Sequence, residues 1–322
     1  MGFLIGIDGG SSKTEFALYR DTGEILATHG LPGSSYRELG AEAVCAILKQ
    51  GVDSICEGID RDEIKGTCFG FPCFGEHMEE DLEAARQIER ALALPTRFEN
   101  DVACAWAGSL AFRSGIVMLA GTGTMAWGRD ARGAMSRCGG WSDFFSDEGS
   151  GYWLGRRTLE LFSKQSDGRA CRGPLHGIVR ERFSLKDDIE IIGIVEARQA
   201  LSREWVASLQ RLLFEAAQDG DAAAAGLYAE AAGELALMVK GLRGRMELPP
   251  GSPVSYAGGL FKAGEVLLEP FRKALMDTDL AFTEPLLAPV DGALLFAVDR
   301  FDPDRLDLVR EALIEQRKNP RP

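Results

Sequence analysis

Short apolar runs broken by glycine-rich or polar turns fill the first third of the chain, and each reads as a strand. Residues 4–8 are apolar or small and end on Asp8. Residues 16–20 alternate, and residues 25–29 form a third run beyond a turn at 21–24. Together they predict a three-stranded meander. After a loop at 30–35, Leu39, Val44, Ile47, Leu48 and Val52 recur at helical spacing and predict a helix over about 37–57. Residues 64–71 read as a short buried strand, ended by the breaker cluster Phe71-Pro72-Cys73-Phe74-Gly75. A charged amphipathic helix over about 78–92 follows, then a strand over 95–101 and a small apolar helix over 102–111.

The opening plan then repeats. Residues 116–120 form an apolar strand that enters Gly121-Thr122-Gly123-Thr124, and residues 125–129 leave it as another strand. A duplicated β-meander follows, with a domain boundary near 113–115: residues 1–113 in one domain, 114–302 in the next. From 152 to 246 the pattern is mainly helical. The clearest runs cover 202–217 and 222–245, with Ser202 and Asp221 as N-caps. A strand over 253–257 leads into Gly258-Gly259 and a helix over 261–275. A small apolar helix over 291–300 and an amphipathic one over 303–318 close the chain.

Composition narrows the classes. At 322 residues the chain is long enough for two domains. A net charge of −13 argues against nucleic acid as the main partner, since a phosphate backbone needs a basic face. It does not argue against ATP, which backbone N–H groups and Mg²⁺ can hold. No apolar run approaches the ~20 residues that span a bilayer, and the first residues lack the basic region of a signal peptide. The 7 cysteines and 3 histidines are scattered with no C-x-x-C pair, so a zinc site is not expected. A cytoplasmic protein with buried, reduced cysteines is the expectation.

Candidate chemistry gathers in five stretches. In Asp8-Gly9-Gly10-Ser11-Ser12-Lys13-Thr14, glycines allow a close backbone approach and successive N–H groups can form an anion nest. Ser11, Ser12 and Thr14 add hydroxyls and Lys13 adds charge. Asp8 at a strand tip suits hydrated Mg²⁺. A plain Gly-Gly hairpin turn is the alternative. The spacing fits neither a P-loop nor a dinucleotide fingerprint. Gly121, Thr122 and Gly123 offer a second such turn. Asn100-Asp101 places a possible general base at a strand end, or simply a helix cap. Residues 138–155 combine glycines, two tryptophans and three carboxylates, as a sugar pocket would, although Asp147 could be the cap of the following helix. Gly258-Gly259, between strand and helix, would let a ring or a phosphate approach, or make a tight turn.

In that order these motifs resemble the BadF/BadG/BcrA/BcrD ATPase family, and within it the N-acetylglucosamine kinase branch of the actin and hexokinase superfamily. The resemblance covers nearly the whole chain. It implies an α/β fold of two RNase-H-like, actin-like ATPase domains with ATP and Mg²⁺ in an interdomain cleft, and a last helix over about 303–320 that packs back on the first domain. It also implies roles. Asp8 would hold Mg²⁺ through water. Gly9, Gly10, Ser11, Ser12, Lys13, Thr14, Gly121, Thr122 and Gly123 would bind phosphate, and Gly258 and Gly259 the adenosine. Asp101 would deprotonate the sugar 6-hydroxyl. Ser35, Asn100, Gly140, Trp141 and Asp147 would line the sugar.

Amino-sugar kinases of this family carry Asn where this chain has Ser35, and Gly where it has Ser142 and Ser146. The sugar's identity is therefore left open. The expected activity is ATP-dependent phosphorylation of an amino sugar by a homodimer, with no nucleic-acid or membrane partner. The alternatives are an ATPase that activates an iron–sulfur dehydratase and a non-catalytic sugar sensor.

Overall fold

The computed structural model describes residues 2–11, 13–75, 77–199 and 202–318. The chain separates into two compact units. One holds residues 1–114 and 284–322, the other residues 115–283.

The first unit opens with β1 (Phe3–Gly9), β2 (Lys13–Arg20) and β3 (Ile25–Pro32), an antiparallel meander. The helix expected after it is broken at Gly40, into α1 (Tyr36–Leu39) and α2 (Ala41–Ile55). Gly40 takes φ +80° and ψ 154°, a backbone conformation open to glycine and outside the helical region, which stops the helix. Next come β4 (Ile64–Phe71), α3 (Met78–Leu92), β5 (Thr96–Asn100) and α4 (Asp101–Ser109). β4 runs parallel to β1, and β5 parallel to β4, which gives a sheet in the order β3-β2-β1-β4-β5. One core joins Ile5, Ile7, Phe16 and Leu18 of the sheet to Val44 and Leu48 of α2 and Ile88 of α3.

The second unit repeats this order. β6 (Gly115–Ala120), β7 (Thr124–Arg129) and β8 (Met135–Gly139) form a meander, and β9 (Pro253–Ala257) and β10 (Ala281–Phe282) extend it in parallel. The sheet reads β8-β7-β6-β9-β10, the first unit's sequence of strands again. Two RNase-H-like domains follow from that repetition. A helical block separates β8 from β9: α5 (Gly151–Ser166), α6 (Pro174–Phe183), α7 (Ile191–Gln199), α8 (Arg203–Ser208), α9 (Gln210–Gln218) and α10 (Ala222–Arg243). The single helix expected over 202–217 is thus two, meeting at Leu209. After β9 comes α11 (Glu265–Leu275).

By length and composition α10 could cross a membrane, although Glu230, Glu234 and Lys240 interrupt its apolar positions. It buries Leu227, Tyr228, Leu235, Val239 and Leu242 in the unit's core, as a core helix does.

The last two helices, α12 (Pro289–Phe301) and α13 (Leu306–Lys318), return to the first unit. A Cβ on Gly6 of β1 would lie 2.4 Å from the Val290 carbonyl oxygen, and one on Gly292 would lie 2.0 Å from the Cys104 carbonyl oxygen of α4. Only glycine permits this approach, so α12 fits directly against β1 and α4. The second unit therefore ends at Thr283, earlier than the 302 expected from sequence.

Candidate active site

In the first unit the candidate residues stand at the ends of β1, β3, β4 and β5. Asp8 lies opposite Glu15, and Gly9 opposite Thr14. The Gly10 N–H donates to the Lys13 carbonyl (2.9 Å), and the Gly10 carbonyl accepts from the Ser34 N–H (3.0 Å). The turn is thus a tight hairpin. In a trans peptide the N–H points opposite to the carbonyl before it, so the Ser11 N–H faces away from Ser34. Among the described residues of the turn, that N–H is a backbone donor that an anion could meet. Ser12 lies outside the described residues. Lys13 is exposed, and its ammonium pairs with Glu15 (2.6 Å). Thr14 departs from expectation: it is fully buried and its hydroxyl donates to the Pro32 carbonyl (2.9 Å). It ties β2 to the end of β3, so its hydroxyl is no phosphate donor.

Asn100 and Asp101 divide two roles that the sequence left open. Asn100 is the cap of α4: its Oδ1 accepts from the Val102 N–H (2.9 Å), and its Nδ2 donates to the Phe74 carbonyl (2.9 Å). Both ends of Asn100 are committed to the protein. Asp101 is the first helical residue, with no need to act as the cap. Its carboxylate acts on Asp8 through space. Loss of solvation, then the Asp101 charge, then that of Glu15, push the Asp8 carboxyl up to about 8, against the pull of Lys13. Two carboxylates in one field create an excess of negative charge that a divalent cation would relieve. Asp8 therefore fits the water-mediated Mg²⁺ role.

Ser35 is 5% exposed and begins α1 without capping it. Its neighbourhood is set by a residue sequence reasoning passed over. Asp81, buried in the first turn of α3, accepts from the Gly75 N–H (2.7 Å), the His77 N–H (3.1 Å) and the Tyr36 hydroxyl. It joins the loop after β3 to the loop after β4. An acid in a helix's first turn was the available clue.

In the second unit, the turn between β6 and β7 closes through Gly121 N–H to the Gly123 carbonyl (2.9 Å). The first turn of α5 then takes its carbonyls: Gly151 N–H donates to Gly121 (2.8 Å) and Tyr152 N–H to Thr122 (3.2 Å). By the trans-peptide rule, the N–H groups of Thr122 and Gly123 face away from α5. Beside this turn, Leu119 of β6 is level with Ala257 of β9, so Gly258 adjoins Ala120. Gly258 has φ +101°, and a Cβ there would lie 2.2 Å from the Ala120 carbonyl oxygen. A side chain is excluded twice, by conformation and by space. A Cβ at Gly259 would meet nothing within 4 Å.

The stretch after β8 holds Gly140 at φ +68° and leaves Trp141 70% exposed, with the Arg137 guanidinium 5.6 Å from the ring centroid. Asp147 is not the cap of α5; that is Ser150, whose hydroxyl accepts from the Trp153 N–H (3.0 Å). Asp147 is buried at φ +62°. Its Oδ1 accepts from the Thr124 N–H (3.2 Å), and its Oδ2 pairs with Arg203 of α8. Burial raises its carboxyl above the usual range, against the Thr124 N–H and Arg203; Asp143 and Glu148 add to the rise. Arg203 carried no clue in the sequence.

Comparison with known proteins places the chain in a family. The N-acetylmuramic acid/N-acetylglucosamine kinase of Clostridium acetobutylicum is 29% identical over 282 residues, 85% of this chain and 90% of that protein. The N-acetyl-D-glucosamine kinase of Dictyostelium discoideum is 26% identical over 311 residues, 92% of this chain and 98% of that one. A Chromobacterium violaceum crystal structure, provisionally described as an N-acetylglucosamine kinase, shares the fold with a TM-score of 0.74 at 24% identity, covering 92% of this chain and 99% of its own. The model of the BadF/BadG/BcrA/BcrD ATPase family matches residues 5–297. With that match running through both repeated sheets, this chain belongs to the BadF/BadG/BcrA/BcrD ATPase family.

Proposed function

We propose that this protein is an ATP-dependent sugar kinase. It transfers the γ-phosphoryl group of ATP to a hydroxyl, the 6-hydroxyl, of N-acetylglucosamine or a related amino sugar. The observation that carries the reading is Asp101 at the first position of α4, relieved of capping by Asn100 and within the field of Asp8. A carboxylate so placed can accept the proton of an attacking hydroxyl. The names of the two curated relatives support the class of sugar.

Phosphoryl transfer asks a protein mainly for positioning and for charge. In this reading Asp8 holds hydrated Mg²⁺, which when bound supplies positive charge to the phosphates. The Ser11 N–H, beside the bare backbone of Gly9 and Gly10 and the Lys13 ammonium, serves the phosphates in the first unit; the Thr122 and Gly123 N–H groups, beside the bare backbone of Gly121, serve them in the second. Gly258 and Gly259 admit the adenosine. In the first unit Ser35 serves the sugar, with Asn100 shaping the loop after β4 through Phe74; in the second unit Gly140, Trp141 and Asp147 serve it. Action in the cytoplasm as a homodimer belongs to the same proposal.

The test is a coupled ADP-release assay with N-acetylglucosamine, glucosamine, N-acetylmuramic acid, N-acetylmannosamine and glucose. ADP release that depends on one of these sugars is the expected result. ATP hydrolysis indifferent to all of them overturns the kinase reading in favour of an activator-type ATPase.

A further inference from the structure

Arg203 stands apart from every motif above, yet it reaches the carboxylate proposed to hold the sugar. It is the first residue of α8, a short helix capped by Ser202, whose hydroxyl accepts from the Trp205 N–H (3.0 Å). α8 comes this close because α5 has glycine where the two helices meet. A Cβ on Gly155 would lie 1.9 Å from the Val206 carbonyl oxygen; one on Gly151 would meet Ala207 only at ordinary contact, 3.6 Å, and would instead crowd the Gly121 carbonyl oxygen at 2.9 Å. Gly155 makes a seat for the α8 backbone, and the seat brings the Arg203 guanidinium to the Asp147 carboxylate. The guanidinium also borders the second glycine turn. A Cβ on Gly123 would lie 2.8 Å from both Arg203 Nη2 and Asp147 Oδ2.

The charges around Asp147 explain what such an arginine is for. Asp143 and Glu148 lie in the same loop and both oppose ionisation of Asp147. Arg203 and the Thr124 N–H are the groups that favour it, and Arg203 Nε also lies 4.0 Å from Asp143. A buried carboxylate beside two others, with the Arg203 guanidinium facing it, depends on that guanidinium for its charge and its orientation.

We propose that Arg203 is a positioning residue for sugar recognition: seated through α8 on Gly155, it holds Asp147 ionised and aimed, so that the carboxylate accepts hydrogen bonds from sugar hydroxyls. The proposal rests on the kinase reading of Asp147. Arg203 need not touch the nucleotide, and its loss acts on the sugar.

The experiment compares wild type with Arg203→Ala and Arg203→Lys in steady-state kinetics, varying the sugar and ATP separately from pH 5 to 9. In Arg203→Ala the KM for the sugar rises about tenfold or more, while kcat and the KM for ATP stay within about threefold. The acid limb of kcat/KM for the sugar moves to higher pH, because Asp147 without its guanidinium ionises later. Arg203→Lys, which keeps a positive charge, restores part of that limb. Gly155→Ala, which unseats α8, repeats the pattern of Arg203→Ala. An unchanged sugar KM and unchanged acid limb in a folded Arg203→Ala variant overturn the proposal. So does an equal rise of both KM values with no change in the limb, which marks a purely structural role. Wild type inactive on every sugar overturns the kinase reading and this inference together, whereas active wild type with an indifferent Arg203→Ala overturns the inference alone.

Discussion

Asp101 and Asp8 answer to different tests, because one is placed for proton transfer and the other for a cation. Asp101→Asn keeps size and helix position and removes the base. Turnover should fall by about 10²–10⁴-fold, the usual contribution of a general base, with ATP binding retained. Steady-state kinetics and calorimetric titration with ATP check both halves. Asp8→Asn should have an opposite effect on stability. In the folded protein the Asp8 carboxyl titrates at about 8, against 3.8 in the unfolded chain. The fold therefore favours the protonated form. Its contribution is complete below about pH 4 and is lost as pH rises towards 8. Asn keeps the neutral shape at every pH, so in magnesium-free buffer at pH 8 Asp8→Asn should raise Tm by about 3 °C or more, with the gain shrinking by pH 5. Thermal melts at the two pH values decide it; a Tm that falls equally at both shows that Asp8 supports the empty fold. Residue identity made Asp8 and Asp101 candidates from sequence. It could not divide capping from catalysis at 100–101, because Asn and Asp suit a cap equally. Nor could it foresee that Thr14 turns its hydroxyl to Pro32 or that Arg203 reaches Asp147, since both depend on partners far along the chain.

Elements with a strong apolar period were legible, and those without one were not. Strands β1, β4, β6 and β9 are buried along most of their length and read directly as apolar runs. β8 did not: its pattern of exposure leaves no buried position, as befits an edge strand held by β7 alone. The last helix was expected on the first unit, and its means of attachment is specific. Asp291 of α12, fully buried, accepts from the Tyr19 hydroxyl (2.8 Å) and from Arg317 of α13 through both Nε and Nη2 (2.9 Å each). Gln316 Nε2 donates to the Gly23 carbonyl (3.0 Å) beside β2. Removing the guanidinium leaves a buried carboxylate with fewer donors. Arg317→Met should cost about 1–3 kcal/mol, less than a fully buried pair because Arg317 itself is 40% exposed. Urea unfolding measures the loss. Asp291→Asn added to Arg317→Met should recover part of it; a strictly additive loss shows that the two side chains do not act as a pair.

At the scale of the whole molecule, the duplication was visible in the sequence as strand, glycine turn and strand twice over, and the two sheets share one strand order. The end of the second half was not visible. α12 buries every residue from Val290 to Val298, so its apolar character shows that it is enclosed on all sides but not by which sheet. Gly6, Gly108 and Gly292 decide the matter by admitting its backbone to β1 and α4. The first unit is thus made of two separate pieces of chain, and the second of one continuous piece, residues 115–283. That asymmetry has a consequence for folding. A continuous unit with its own sheet and its own core can be cut out, because no strand or core helix is left behind. A fragment spanning 115–283 should give an α/β far-UV spectrum and a single cooperative melt. A fragment of residues 1–114 lacks α12, so the Gly6 face of β1 and the matching face of α4 lose their cover. It should aggregate or unfold without cooperativity, and co-expression with residues 284–322 should restore a cooperative melt. If residues 1–114 fold alone while 115–283 do not, α12 is not the element that completes the first unit. The boundary at Thr283 then fails as a folding boundary, and the one at 302 returns.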